Sequence, residues 1–297
     1  MQIALTLVGP DSDAALQAVA LVTPALAGVH ARVKEPRTLG DGAVELLVEA
    51  EAIGPVRAAA EAALAQQPID ICAQPWNGRK KRLLIADMDS TIIGCECIDE
   101  LADFAGVKEQ VSAITERAMQ GELDFEEALR ERVAMLKGLP LSALQQAYDE
   151  RVRLNPGART LVRTMAQNGA RCALVSGGFT FFTSRVAKAA GFHLDRANTL
   201  HDDGQGLTGT VGDPILGREA KLASLKELAQ TAGIELAQTL AVGDGANDLG
   251  MIEAAGLGVA YRAKPIVAAQ ADAKVDHASL TALLYFQGYR AAEFVTD

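Results

Sequence analysis

The sequence predicts an α/β protein in two parts: a parallel-sheet core under a helical cap, preceded by a smaller ferredoxin-like α+β unit. Three observations carry this. Short apolar runs at Leu83–Ala86, Arg171–Val175, Thr239–Val242 and Leu257–Ala260 are each bounded by turn residues and followed by a helical pattern. Strands of a parallel sheet buried on both faces read this way. Helical patterns near 99–105, 108–120, 124–137 and 141–149 crowd between the first two runs, too many for one crossover, so they form a cap inserted over the sheet. The first 75 residues alternate differently, in the order βαββαβ.

In that first unit, Ile3 to Val8 reads as a strand, the stretch from Asp11 to about Val22 as a helix, and Val29 to Val33 and Val44 to Val48 as strands. Val56 to Ala65 reads as the second helix and Ile69 to Ala73 as the last strand. Gln74 to Arg82 combines turn formers with a basic run, which reads as a solvated tether. The expected division is a first domain over 1–75, a linker over 76–82 and a second domain over 83–297 with its cap at about 97–155. Asp202-Asp203-Gly204 before Leu207 to Val211 marks a small hairpin.

The bulk numbers exclude several classes. A 297-residue chain with 49% hydrophobic and 22% charged residues has the composition of a globular protein. It contains no run of the ~18 apolar residues that a membrane-spanning helix needs. The start at Met1-Gln2-Ile3 lacks the pattern of a secretory signal, so the cytoplasm is the expected location. Cys72, Cys95, Cys97 and Cys172 form neither paired zinc-site spacing nor a disulfide framework, and read as reduced thiols. A net charge of -10 disfavours nucleic acid and anionic membrane as partners. An anionic substrate then needs local cationic help.

Ligands of open α/β sheets bind beyond the carboxyl ends of the strands. There the first core strand runs into Asp87-Met88-Asp89-Ser90-Thr91, and the third into Gly243-Asp244-Gly245-Ala246-Asn247-Asp248. The second delivers Ser176-Gly177-Gly178, a hydroxyl and mobile amides suited to a phosphate oxygen, and Lys221 opens a helix. Acids gathered at one edge repel and lose hydration unless a cation neutralises them, and oxygen ligands without His or Cys point to magnesium. A helix N-cap explains any one of these acids. It does not explain the four elements in this order.

These residues carry a resemblance. Asp87-Met88-Asp89-Ser90-Thr91, Ser176-Gly177-Gly178, Lys221 and Gly243-Asp244-Gly245-Ala246-Asn247-Asp248 resemble the four ordered motifs of the haloacid dehalogenase superfamily and, within it, the phosphoserine phosphatases. The resemblance spans residues 83 to 285. It implies that Asp87 is the nucleophile, forming an aspartyl-phosphate, and that Asp89 protonates the leaving oxygen and then deprotonates water. It also implies that Mg2+ is held by the Asp87 side chain, the Asp89 backbone carbonyl and the Asp244 side chain, with Asp248 supporting from behind. Ser176, the Gly177 amide and Lys221 would neutralise the phosphoryl oxygens, and Asn247 would touch the phosphate or a water on the metal.

Arg132 falls on the apolar stripe of Phe125, Ala128, Leu129 and Leu136. An Arg facing inward needs an anion; Glu126, Glu127 and Glu131 are neighbours that could supply one inside the cap. The resemblance instead implies that Arg132 binds the substrate carboxylate, that Glu96 receives its ammonium, and that Phe125 and Met119 close over it. The implied function is hydrolysis of O-phosphoserine, a small phosphomonoester, as the last step of serine biosynthesis. Phosphotransfer to an alcohol acceptor and a non-catalytic amino-acid sensor are the alternatives. The first unit resembles an ACT domain through Leu5-Thr6-Leu7-Val8-Gly9-Pro10-Asp11, but Asp13-Ala14 stands where many such domains have a glycine for effector approach. Pairing of subunits into a homodimer is therefore set beside serine sensing as its role.

Overall fold

Alternation along the strands decides what each face meets. The computed structural model of the chain describes residues 1–120 and 122–296, with the side chain of Met119 also outside the description. In the first unit, β1 (Gln2–Val8) lies between β4 (Ala43–Glu49) and β5 (Asp70–Pro75), antiparallel to both. Ile3, Leu5 and Leu7 share a core with Val44, Leu46 and Val48 and with Val22, Leu26, Val56 and Ala60 of α1 (Ser12–Gly28) and α2 (Ile53–Ala63). Asp11 caps α1 by accepting from the Ala14 N–H at 2.8 Å. The helix runs past the expected Val22, through Pro24, because the buried spacing continues from Ala15, Ala18 and Val22 to Leu26. β2 (Arg32–Val33) and β3 (Arg37–Gly40) both pair with β4. β3 was not expected; it returns to β4 through Asp41-Gly42, with Gly42 at a φ of +72°. The order is that of a ferredoxin-like sandwich.

The second unit is a six-stranded parallel sheet in the order β13-β12-β11-β6-β7-β8: β6 (Leu83–Ala86), β7 (Arg171–Phe179), β8 (Leu194–Asn198), β11 (Thr239–Gly243), β12 (Leu257–Tyr261) and β13 (Ala273–Val275). The edge strands β8 and β13 were not anticipated. Leu84, Ala86, Leu174, Leu240, Val242 and Val259 pack on one face, into a core with α7 (Ala158–Gln167), α8 (Thr180–Ala190) and α12 (Ala282–Phe286). Leu83, Ile85, Ala173, Val175, Ala241 and Ala260 pack on the other, with α9 (Arg218–Thr231), α10 (Leu249–Ala254) and α11 (Pro265–Ala268). The chain leaves β6 toward β7 and β8, then returns to β11 on the opposite side. This switch opens a crevice at the carboxyl ends of β6 and β11.

The cap comprises α3 (Cys97–Phe104), α4 (Lys108–Met119), α5 (Phe125–Ala134) and α6 (Leu141–Arg151), all between β6 and β7. The expected hairpin forms from β9 (Leu200–Asp202) and β10 (Leu207–Val211). It is tied to the cap where the Gly138 N–H donates to the Leu207 carbonyl at 2.8 Å and the Leu207 N–H to the Leu139 carbonyl at 2.9 Å.

The basic run at the junction is not a solvated tether. Arg79 is buried, with its guanidinium 4.0 Å from the Trp76 ring centroid and Nη2 2.9 Å from the fully buried Glu45 carboxylate. Lys81 is buried too, and its Nζ donates to the carbonyls of Ala237 and Gly256 at 2.9 and 3.1 Å. The Asp70 carboxylate accepts from the N–H groups of Asp276, His277 and Ala278, while Gln74 Nε2 donates to the Phe286 carbonyl at 2.8 Å. Val8, Leu39, Ala43 and Cys72 belong to the same apolar core as Leu283, Leu284 and Phe286. Both faces of the first sheet are therefore covered. A chain beginning at Trp76 should expose this apolar face and melt about 5–10 °C or more below the full chain; thermal unfolding of the two checks this, and equal melting would mean that the shared face adds nothing.

Candidate active site

The residues after β6, β7 and β11 converge. Asp87 extends the ladder, donating its N–H to the Val242 carbonyl at 3.0 Å. Its Oδ1 accepts from the Met88 N–H and from Lys221 Nζ, each at 2.8 Å. Lys221, fully buried on α9, reaches Asp248 Oδ1 at 2.6 Å on its other side. Asp248 Oδ2 accepts from the N–H groups of Asp244 and Gly245, both at 3.1 Å. Gly243 makes room for this: a Cβ there would fall 2.3 Å from Asp248 Cγ. Thr91 Oγ1 donates to Asp244 Oδ1 at 2.9 Å.

The turn from Asp87 to the cap is sharply coiled, with Ser90 at a φ of +54°, in the region that favours glycine. The Ser90 N–H donates to the Cys95 carbonyl, and its Oγ donates to Glu96 Oε1 at 2.5 Å, which holds the turn in place. Asp89 is thereby brought back over the strand ends. Its Oδ1 accepts from the Cys97 N–H at 2.9 Å, and Ser176 Oγ lies 3.4 Å from its Oδ2. The glycines of β7 are required by closeness: a Cβ on Gly178 would lie 2.5 Å from Asp89 Oδ2, and one on Gly177 would lie 2.6 Å from Phe125 Cζ.

Crowding of acids governs the electrostatics. Burial, and then the Asp87 charge, pushes the Asp89 carboxyl up to about 6; the same two causes push Asp248 to about 6. Burial, with the charges of Glu96, Asp248 and Asp87, holds Asp244 well above the carboxylate range. Burial alone would lower Lys221, but the charges of Asp248 and Asp87 win and hold it above its ordinary value. One buried ammonium thus faces more buried carboxylates than it can neutralise. Ligand oxygens of Asp87, Asp244 and Asp248 lie within 4.8 Å of one another, so the donor set fits a hard cation. Both Asp248 oxygens already accept from N–H donors, which leaves Asp87 and Asp244 the better placed to bind one.

A single cavity is lined by Asp87, Asp89, Glu96, Phe125, Arg132, Ser176, Gly177 and Asn247, so these expected residues do come together. Asp244, Asp248 and Lys221 sit against Asp87 at its base. The expectation for the Met119 side chain lies outside the described residues. Gly178, of the expected Ser176-Gly177-Gly178 element, also lines the cavity; so do Ile98, Leu129 and Phe179, which were not expected there because apolar patterning does not mark which members face a ligand. Asn247 Oδ1 is buried and has no hydrogen-bond partner among the described residues.

Arg132 is 2% exposed, yet makes no ion pair among the described residues. Glu126, Glu127 and Glu131, the neighbours that could have paired with it, point to solvent. Its Nε donates to the Ala128 carbonyl and its Nη1 to Thr115 Oγ1, both at 3.0 Å. Glu96, across the cavity, is pushed up to about 8 by burial and then by the Asp89 charge. A cation beside Glu96 and an anion beside Arg132 would relieve both.

The chain is similar to known proteins. The chain is 44% identical over 217 residues to a phosphoserine phosphatase of Archaeoglobus fulgidus, a match covering 72% of this chain and 63% of that protein; the chain spans about three fifths of the length of such curated relatives. The crystal structure of a haloacid dehalogenase family hydrolase from Salmonella enterica serovar Typhi superposes with a TM-score of 0.81 at 29% identity, over 96% of this chain and 98% of the other. That of a probable phosphoserine phosphatase from Vibrio cholerae gives 0.77 at 32% identity, over 98% and 88%. Residues 84–253 match the model of the haloacid dehalogenase-like hydrolases, and with the four motifs gathered at one sheet edge the chain belongs to that family.

Proposed function

We propose that the chain is a magnesium-dependent phosphatase that hydrolyses O-phosphoserine in the cytoplasm through an aspartyl-phosphate on Asp87. The observation that carries this reading is the pairing of opposite demands across one cavity. Asp87, Asp89, Glu96 and Arg132 line that cavity together, and Arg132 has no ion-pair partner among the described residues. A phosphate monoester that also carries an ammonium and a carboxylate offers phosphorus to Asp87, a leaving oxygen to Asp89, a cation to Glu96 and an anion to Arg132.

In this reading the Asp87 carboxylate attacks phosphorus while Asp89 gives its proton to the serine oxygen, so the P–O bond breaks without expelling a free alkoxide. Asp89 then takes a proton from water as that water attacks the acyl-phosphate, and Asp87 is restored. A carboxyl near 6 suits exchange in both directions close to neutral pH. Ser176, the Gly177 amide and Lys221 bind the phosphoryl oxygens, where charge gathers. Phe125, packed against Gly177, keeps bulk water out. The Asp87 and Asp244 side chains and the Asp89 carbonyl, with Asp248 behind them, would hold magnesium, which would supply positive charge to offset that of the phosphoryl group.

Three outcomes test this. Asp87→Asn should lower phosphoserine turnover by at least about a thousandfold in a folded protein; substantial steady turnover by a freshly prepared variant would refute the nucleophile. Chelation should abolish activity and magnesium restore it, and magnesium should raise the melting temperature by relieving the buried acids; an unmoved melting curve would contradict the metal site. A hydrogen bond to a charged group contributes about 1.5–3 kcal/mol. Arg132→Met should therefore cost phosphoserine roughly 10- to 150-fold in kcat/KM and an aryl phosphate little. Parallel losses on both substrates would leave Arg132 a structural residue.

A further inference from the structure

The cap holds Arg132 without neutralising it. Its Nη1 donates to the hydroxyl of Thr115, which is 3% exposed on α4. That hydroxyl lies 2.7 Å from Asp99 Oδ1 on α3 and 3.0 Å from the Val111 carbonyl. It has one hydrogen to give, and the shorter contact to a carboxylate takes it, which leaves a lone pair for Arg132. The second Asp99 oxygen accepts from Ser112 Oγ at 2.9 Å. Asp99 is therefore held from both sides, and the chain Arg132 to Thr115 to Asp99 has a fixed polarity across three helices.

We propose that Thr115 and Asp99 are positioning residues for substrate recognition: the hydroxyl lets Asp99 fix and partly offset the Arg132 charge while keeping the carboxylate out of the guanidinium fork. Direct contact between Asp99 and Arg132 would be a bidentate pair and would occupy the donors that a substrate carboxylate needs. One hydroxyl in between lengthens the charge separation and leaves those donors directed at the cavity. The other acids whose charge acts on Arg132 are Glu96 and Asp89, both lining the cavity. Neither makes a hydrogen bond to it. The inference rests on the reading of Arg132 as the carboxylate binder.

The test compares Thr115→Val, Thr115→Ser, Arg132→Met and the Thr115→Val/Arg132→Met pair on phosphoserine and on p-nitrophenyl phosphate, in the full chain with magnesium. Thr115→Val should raise KM for phosphoserine about 3- to 10-fold with kcat within about twofold, and leave p-nitrophenyl phosphate unchanged. Thr115→Ser keeps the hydroxyl and should restore KM. The pair should be no worse than Arg132→Met alone, because both changes act through one contact. A silent Thr115→Val beside a selective Arg132→Met would overturn the relay and spare the carboxylate reading. Failure of serine to restore KM, equal losses of Thr115→Val on both substrates, or full additivity in the pair would also overturn the relay. Parallel losses from Arg132→Met itself would overturn both.

Discussion

The buried contact of Lys221 with Asp87 and Asp248 is the interaction on which the site depends. An ammonium with no exposed surface is tolerable only between acids, and here it fixes one oxygen of each. Asp248 then uses its other oxygen to gather the N–H groups of Asp244 and Gly245, which sets the path of the loop after β11. That path requires Gly243, and it brings Asp244 beside Thr91 in the turn after β6. A single lysine still leaves the cluster short of positive charge. The same shortage favours a divalent cation among Asp87, Asp244 and Asp248.

The cap answers a different constraint. Its roof over the cavity is largely apolar, and the polar groups in it are each held by others. Glu96 is tied to the strained turn at Ser90, and Arg132 to the Thr115 and Asp99 pair. Phe125 rests on Gly177, so the cap packs directly on the loop after β7. The first unit contributes from behind the sheet: Val8 and Cys72 share the core of α12, and Asp70 caps the segment after β13.

Much of this was legible in the residues. Acids directly after short apolar runs mark strand ends, and the parallel fold brings such ends together, so Asp87, Asp89, Asp244 and Asp248 could be placed in one site before any coordinates. Arg132 was visible as a charge on an apolar stripe, although its neighbours on the helix gave the wrong candidate partners. What remained hidden depends on contacts distant in sequence. The basic run reads as solvated because nothing near it announces Glu45, 34 positions before Arg79, or the backbone carbonyls that receive Lys81. Thr115 and Asp99 are ordinary polar residues until three helices are packed together. The strands β3, β8 and β13 interrupt their apolar residues with charged or polar ones, as in Leu194-Asp195-Arg196-Ala197-Asn198, so no apolar run marks them.

The most direct test of the central claim is rapid quenching of a single turnover of phosphoserine in acid, followed by mass spectrometry of the peptide that contains Asp87. A transient phosphoryl adduct on Asp87 is expected, with serine appearing before inorganic phosphate. Simultaneous release of both products with no adduct, or an adduct on any other residue, would contradict it.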